Sequence, residues 1–251
     1  MNINHNFDTD YIMDITLTHL FEVVPFLLLF EASYIMLLKK LFDFNTSYFL
    51  LHFIVNCVNT IILIPYIYQL FSDPLSKKNY STYQFNEYMD MIYPIVIGLH
   101  TFHLLNNIRR INFDEITHHV ITHIFWYGVN YCNWNPLYIA PMIVMSGIPG
   151  GITYLMLFLH KFKLINKLTE KKISMYLNIW IRGPVCVIFS TLMYVTNLNE
   201  LGNDKTLYEY YVTLFMIFFT FVNGIHFMHT ITESYYENYY ENYYKKYVKT
   251  E

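Results

Sequence analysis

Long apolar stretches broken by short polar connections dominate this sequence, and seven of them approach the length of a membrane-crossing helix. A spanning helix needs about 20 consecutive apolar residues. The pattern predicts crossings at Ile15–Leu38, Tyr48–Phe71, Met91–Leu105, Ile116–Tyr131, Pro136–Leu159, Ser174–Val195 and Tyr210–His229. Glu22 and Glu31 interrupt the first, and the third and fourth are short for a full span. From Ile116 to His160 there is no Asp, Glu, Lys or Arg, a run of 45 residues that accommodates the fourth and fifth crossings. The predicted fold is all-α, a polytopic membrane helix bundle of about seven transmembrane helices.

The polar connections set an orientation. With seven crossings, Lys77, Lys78 and Lys205 fall on the side of the N-terminus. Lys39, Lys40, Arg109, Arg110, Lys161, Lys163, Lys167, Lys171, Lys172, Lys245, Lys246 and Lys249 fall on the other. Cytoplasmic loops carry the excess of basic residues. The expected orientation therefore has a cytosolic C-terminus and an N-terminus outside the cell or in a lumen. The loops are too short for a second globular domain. Residues 1–14 read as a lumenal segment, 15–230 as the membrane domain and 231–251 as a tyrosine-rich cytosolic tail. That tail repeats Tyr-Tyr-Glu-Asn at 235–238 and 239–242. The acidic start, with Asp8, Asp10 and Asp14 and no basic residue, does not resemble a cleavable signal peptide.

Composition agrees with this class. Hydrophobic residues make up 55% of the chain and charged residues 14%, against about 25% charged in an average soluble domain. A net charge of −3 and a pI near 6.4 argue against a nucleic-acid partner. Cys57, Cys132 and Cys186 stand apart in apolar surroundings, which indicates neither a disulfide framework nor a thiolate zinc site.

The candidate chemistry lies in the polar residues that interrupt the spans. On the predicted topology His52, Asn56, His100, His103, His118, His119, His123, Asn178, Arg182, His226 and His229 fall at similar depth near the cytosolic face. Ionisable groups in a membrane are costly and face a partner or a cavity. His100 and His103 share a helix face, as do His119 and His123, and His226 and His229. His118 and His119 point about 100° apart at about 3.6 residues per turn. Arg182 is the strongest anomaly. It lies inside the sixth span just before Gly183-Pro184, where the helix is expected to kink, and it either faces a cavity or snorkels to the headgroups.

His118-His119-Val120-Ile121-Thr122, with Asn133 eleven residues after Thr122, resembles the TLC domain. That family includes ceramide synthases and relatives of the translocon-associated TRAM protein. The resemblance extends from about the second span to the seventh. It implies a lipid-handling membrane protein of the endoplasmic reticulum or another internal membrane, with His118 and His119 as catalytic residues of an acyl-CoA-dependent N-acylation. Ceramide synthases continue with His-Asp-x-x-Asp on the next helix. In that register this chain reads Met145-Ser146-Gly147-Ile148-Pro149, without the histidine and both acids.

The expected function is to bind, sense or modify lipid through a cytosol-facing polar cavity. Arg182, His103, His100, Asn133 and His123 are the candidate lipid- or substrate-binding residues. The expected partners are membrane lipid and, for transferase chemistry, acyl-CoA. No cofactor and no metal ligand is assigned. Two alternatives stand beside this one. The first is a metal-dependent membrane lipid enzyme built on the histidine clusters, since imidazole suits iron and zinc. The second is a non-catalytic structural or receptor-like seven-helix protein in which the histidines are packed core residues. A retinal protein is disfavoured, because the seventh span contains no lysine.

Overall fold

The computed structural model describes residues 9–72, 87–109, 111, 113–131, 147–200 and 207–247. Among them the chain is all-α, with no strand. The helices are α1 (Thr9–Met36), α2 (Phe44–Ser72), α3 (Glu87–Asn107), α4 (Phe113–Tyr131), α5 (Ile148–Lys161), α6 (Lys167–Leu177), α7 (Gly183–Glu200) and α8 (Leu207–Tyr247). A π turn, Asn178–Arg182, joins α6 to α7, so that the two form one rod.

Among the described residues, four helical stretches are long and apolar enough to cross a membrane: Phe21–Lys40, Phe44–Ile64, Lys167–Leu198 and Tyr210–Lys245. The third has 32 residues, about 48 Å at the α-helical rise. That exceeds a hydrocarbon core of about 30 Å, so Lys167, Lys171 and Lys172 can lie beyond it. The predicted seventh crossing is longer than its apolar pattern. α8 continues without a break through the Tyr-Glu-Asn repeats to Tyr247.

Three helix pairs pack most extensively: α2 with α5, α7 with α8, and α1 with α3. Phe30, Leu51, Val55, Ile95, Leu99 and Phe102 form a buried cluster where α1, α2 and α3 meet. Among lipid tails such a cluster is held by close packing rather than by expulsion of water. Small residues allow that closeness. A Cβ on Gly98 would stand 3.0 Å from the Cβ of Phe26 and 3.3 Å from the backbone nitrogen of Leu27. Glu31, the acidic interruption of the first span, accepts a hydrogen bond from Asn106 Nδ2 on α3. Its charge thus meets a donor on the neighbouring helix.

Two short turns bring the site helices to one end of the bundle. Asp43 caps α2 by accepting from the Thr46 backbone N–H at 2.7 Å. Between α5 and α6, the Leu164 N–H reaches back to the Leu159 carbonyl at 3.0 Å, and Lys163 sits in the left-handed region with φ 58°. This is a Schellman-type stop with lysine where glycine is usual. Asn166 then caps α6 through the Thr169 N–H at 2.8 Å. Phe42, just before α2, packs edge-on against Phe158 and Phe162 at the close of α5.

Candidate functional site

α3 and α4 bring their histidines together. His119, only 1% exposed, stands between two others. Its Nδ1 lies 2.7 Å from His100 Nδ1, and its Nε2 lies 2.7 Å from His103 Nδ1. The row continues outward, with Asn107 Nδ2 3.3 Å from His103 Nε2. A neutral imidazole donates from one nitrogen and accepts at the other. The contacts at opposite nitrogens of His119 therefore form a linear chain. A metal would instead need lone pairs converging on one point. Among the described residues no three His, Cys, Asp or Glu side chains converge in that way.

Aromatic stacking fixes the ring planes of this chain. Tyr48 on α2 stacks on His103, centroids 3.7 Å apart, and meets His52 edge-on at 4.2 Å. His52 stacks on Tyr154 of α5 at 4.3 Å and meets His100 edge-on, centroids 5.5 Å apart. Tyr48 and Tyr154 also meet edge-on, centroids 6.0 Å apart. His123 is held apart from the row. Its Nδ1 meets the His119 carbonyl at 2.7 Å, and its Nε2 meets Thr101 Oγ1 at 3.2 Å.

Beside the histidine chain lies a cavity of about 270 Å³. His52, Asn56, His100, His118, Thr122, Tyr154, Arg182 and Asn223 supply its polar wall, and Val55, Leu99, Leu157, Phe219, Phe227 and Ile231 much of its apolar wall. Arg182 faces this cavity, with its guanidinium carbon 4.0 Å from the centre of the Phe227 ring. It does not snorkel away. The expected break near Gly183-Pro184 takes the form of the preceding π turn, in which the Gly183 N–H bonds to the Asn178 carbonyl. Such turns insert a residue into the helical register and recur at functional sites.

Four buried atoms of the wall residues have no hydrogen-bond partner within the protein: His52 Nε2, Asn56 Nδ2, Arg182 Nε and Asn223 Oδ1. A buried polar group left unsatisfied costs about 1–3 kcal/mol. Four on one cavity favour a polar occupant. Among the described residues the wall contains one formal cation, Arg182, and no Asp or Glu.

The structure thus divides the expected site in two. His118 stands on the cavity wall, its ring 6.0 Å from Phe227. His119 and His103 lie off the wall in the imidazole row, and His100 belongs to both. His123 lies off the wall, and Asn133 lies outside the described residues. His226 and His229 do not join the cluster. Both are exposed, and His229 lies 3.8 Å from Glu233 on its own helix.

Tyr48, Tyr154, Asn223 and Phe227 are site residues that the sequence reading did not single out. For α8 a signal exists. Phe219, Asn223, Phe227 and Ile231 recur every fourth residue and all line the cavity, with one asparagine in an otherwise apolar stripe. The tyrosines carry no such signal, because 25 tyrosines occur in the chain.

No family model, no curated protein and no solved structure matches this chain.

Proposed function

We propose that this chain is a multi-pass membrane protein that binds lipid through an anionic headgroup in the cavity between α2, α3, α4, α5, the π turn and α8. The observation that carries this reading is Arg182, among the described residues the one cation on a wall without carboxylates, with its Nε unpaired. A guanidinium binds phosphate or carboxylate oxygens through paired donors. His118 and the side-chain amides of Asn56 and Asn223 supply further polar contacts, while the apolar wall suits the first methylenes of an acyl chain. The cavity lies towards the bundle end where α3 closes and α4 and α6 open. That end carries Lys39, Lys40, Arg109, Lys161 and Lys167, and the excess of basic residues supports a cytosolic mouth.

Binding is favoured over acyl transfer. A histidine general base works best when another group orients it and tunes its proton affinity. Among its described residues the wall offers no carboxylate for that role, and the acidic motif that ceramide synthases carry is missing from the sequence. The resemblance around His118 and His119 supports lipid as the class of ligand.

Thermal stabilisation of the purified full chain tests the reading. Dioleoylphosphatidic acid is expected to raise the melting temperature and dioleoylphosphatidylcholine to leave it nearly unchanged. Inorganic phosphate separates a lipid headgroup from free phosphate as the ligand. Arg182→Ala is expected to abolish the shift, and Arg182→Lys to restore little of it if paired donors matter. Equal shifts for both lipids, or full retention in Arg182→Ala, would overturn the proposal.

A further inference from the structure

The geometry points to a proton relay that runs from Asn107 through His103, His119 and His100 into the cavity. It rests on the anion-binding reading of that cavity.

His119 uses both ring nitrogens, each 2.7 Å from the Nδ1 of another histidine. With all three rings neutral, two proton arrangements satisfy both contacts. In the first, His103 Nδ1–H donates to His119 Nε2 and His119 Nδ1–H donates to His100 Nδ1. His103 Nε2 then accepts from Asn107 Nδ2, 3.3 Å away, and His100 carries its proton on Nε2. In the second, His100 Nδ1–H donates to His119 Nδ1 and His119 Nε2–H donates to His103 Nδ1, while His103 carries its proton on Nε2 and the Asn107 amide turns so that its Oδ1 accepts it. Any mixed arrangement sets two N–H groups or two lone pairs against each other at one contact. The chain is therefore bistable, and its two states differ by a concerted shift of protons.

That shift is balanced. An anionic oxygen in the cavity takes the proton from His100 Nε2. The His119 Nδ1 proton moves to His100 Nδ1, and the His103 Nδ1 proton moves to His119 Nε2. A water proton from the Asn107 side arrives at His103 Nε2. One proton enters, one leaves, and the imidazoles remain neutral. Reversal of the shift resets the chain.

Position supports this use. His100 lines the cavity, and its Nε2 is the nitrogen not committed to His119. His103 and His119 do not line it. Asn107, half-buried, is the last residue of α3 and lies towards the loop. The groups facing the row are Tyr48 and His52 on α2, Tyr154 on α5, His118 and His123 on α4, and Arg182 on the π turn. Glu115 is within electrostatic reach of Tyr48 and Tyr154. The stacked rings of Tyr48 and His103 hold the row in register.

The test mixes the full chain in nanodiscs with dihexanoylphosphatidic acid in a stopped-flow instrument. A pH dye follows proton uptake and tryptophan fluorescence follows binding. The phosphate monoester accepts a proton near neutral pH. The phosphodiester dihexanoylphosphatidylglycerol does not, and it is expected to bind without uptake. His119→Phe keeps a ring but removes both nitrogens. It is expected to slow uptake by about 100-fold, in the range for a lost positioned proton donor, with affinity for both lipids retained. His103→Phe, at the outer end of the row, is expected to do the same and serves if His119→Phe does not fold. Unchanged uptake with intact binding in a folded variant would overturn the relay and leave the anion site standing. Failure of the unaltered chain to bind either anionic lipid would overturn both.

Discussion

The contact between Gly224 on α8 and Cys186 on α7 determines whether Arg182 and Phe227 share a cavity. A Cβ on Gly224 would lie 2.5 Å from the Cys186 Cβ and 3.2 Å from its Sγ, where ordinary contact begins at 3.4 Å. Gly224→Ala therefore needs about 0.9 Å of extra separation between the helices. Two energies compete. Alanine gains about 1 kcal/mol over glycine in a helix interior, and overpacking a tight interface costs about 1–3 kcal/mol. The net expectation is a loss of about 0–2 kcal/mol, the difference of these two, and a sign alone does not test the contact. A double-mutant cycle does. Cys186→Gly removes the opposing Cβ, and in that background Gly224→Ala should become stabilising, with a coupling of about 1–3 kcal/mol, the whole overpacking cost. Thermal unfolding in mild detergent reads this at about 2–4 °C per kcal/mol. Trp180, 72% exposed and two residues before Arg182, is a convenient reporter. Additivity within about 0.5 kcal/mol would refute the close approach, and with it the packing that sets Phe227 4.0 Å from Arg182.

Two further predictions concern the turns that bring the site helices together. The Thr46 backbone N–H bonded to Asp43 holds that carboxyl below its usual range. Its contribution to stability is present above the unfolded-state pKa of about 3.9 and is lost as pH falls through the lower folded value, so Asp43→Asn should flatten the acid limb of a stability–pH profile. At Lys163, with φ 58°, Lys163→Gly should raise stability by about 1 kcal/mol in thermal unfolding by relieving left-handed strain; a loss there would argue against the left-handed stop.

How far the sequence foretold the site depended on the spacing of its polar residues. Helical spacing made His100 and His103 neighbours and turned His118 away from His119, and the structure keeps both relations. It also marked Arg182 as a residue needing a cavity or a partner. The long row of the three histidines was not legible, because it depends on the alignment of α3 against α4, which no local pattern encodes. The same distinction separates the exposed His226 and His229 from the buried cluster. All sit at similar depth along their helices, but depth does not fix the direction a side chain points. The π turn was half legible. Gly183-Pro184 announced a break in the ladder, while the extra residue wound in before it emerges only from the packing of α6, α7 and α8.

α3 and α4, the two helices that carry the imidazole row, are the helices most interrupted by polar residues. His100, His103, Asn106 and Asn107 lower the apolarity of α3, and Asp114, Glu115, Thr117, His118, His119 and His123 lower that of α4. Within the bundle several of these groups meet partners on neighbouring helices. Asn106 is paired with Glu31 on α1, His103 is covered by Tyr48 on α2, and His119 is buried between His100 and His103. Lipid-facing helices have no such means of satisfying polar groups and must be apolar throughout. α1, α2, the α6–α7 rod and α8 supply the apolar lengths, and α3 and α4 hold the polar interior. A polar patch on a short helix is therefore as informative in this chain as a long apolar run, because only a helix shielded by its neighbours can carry it.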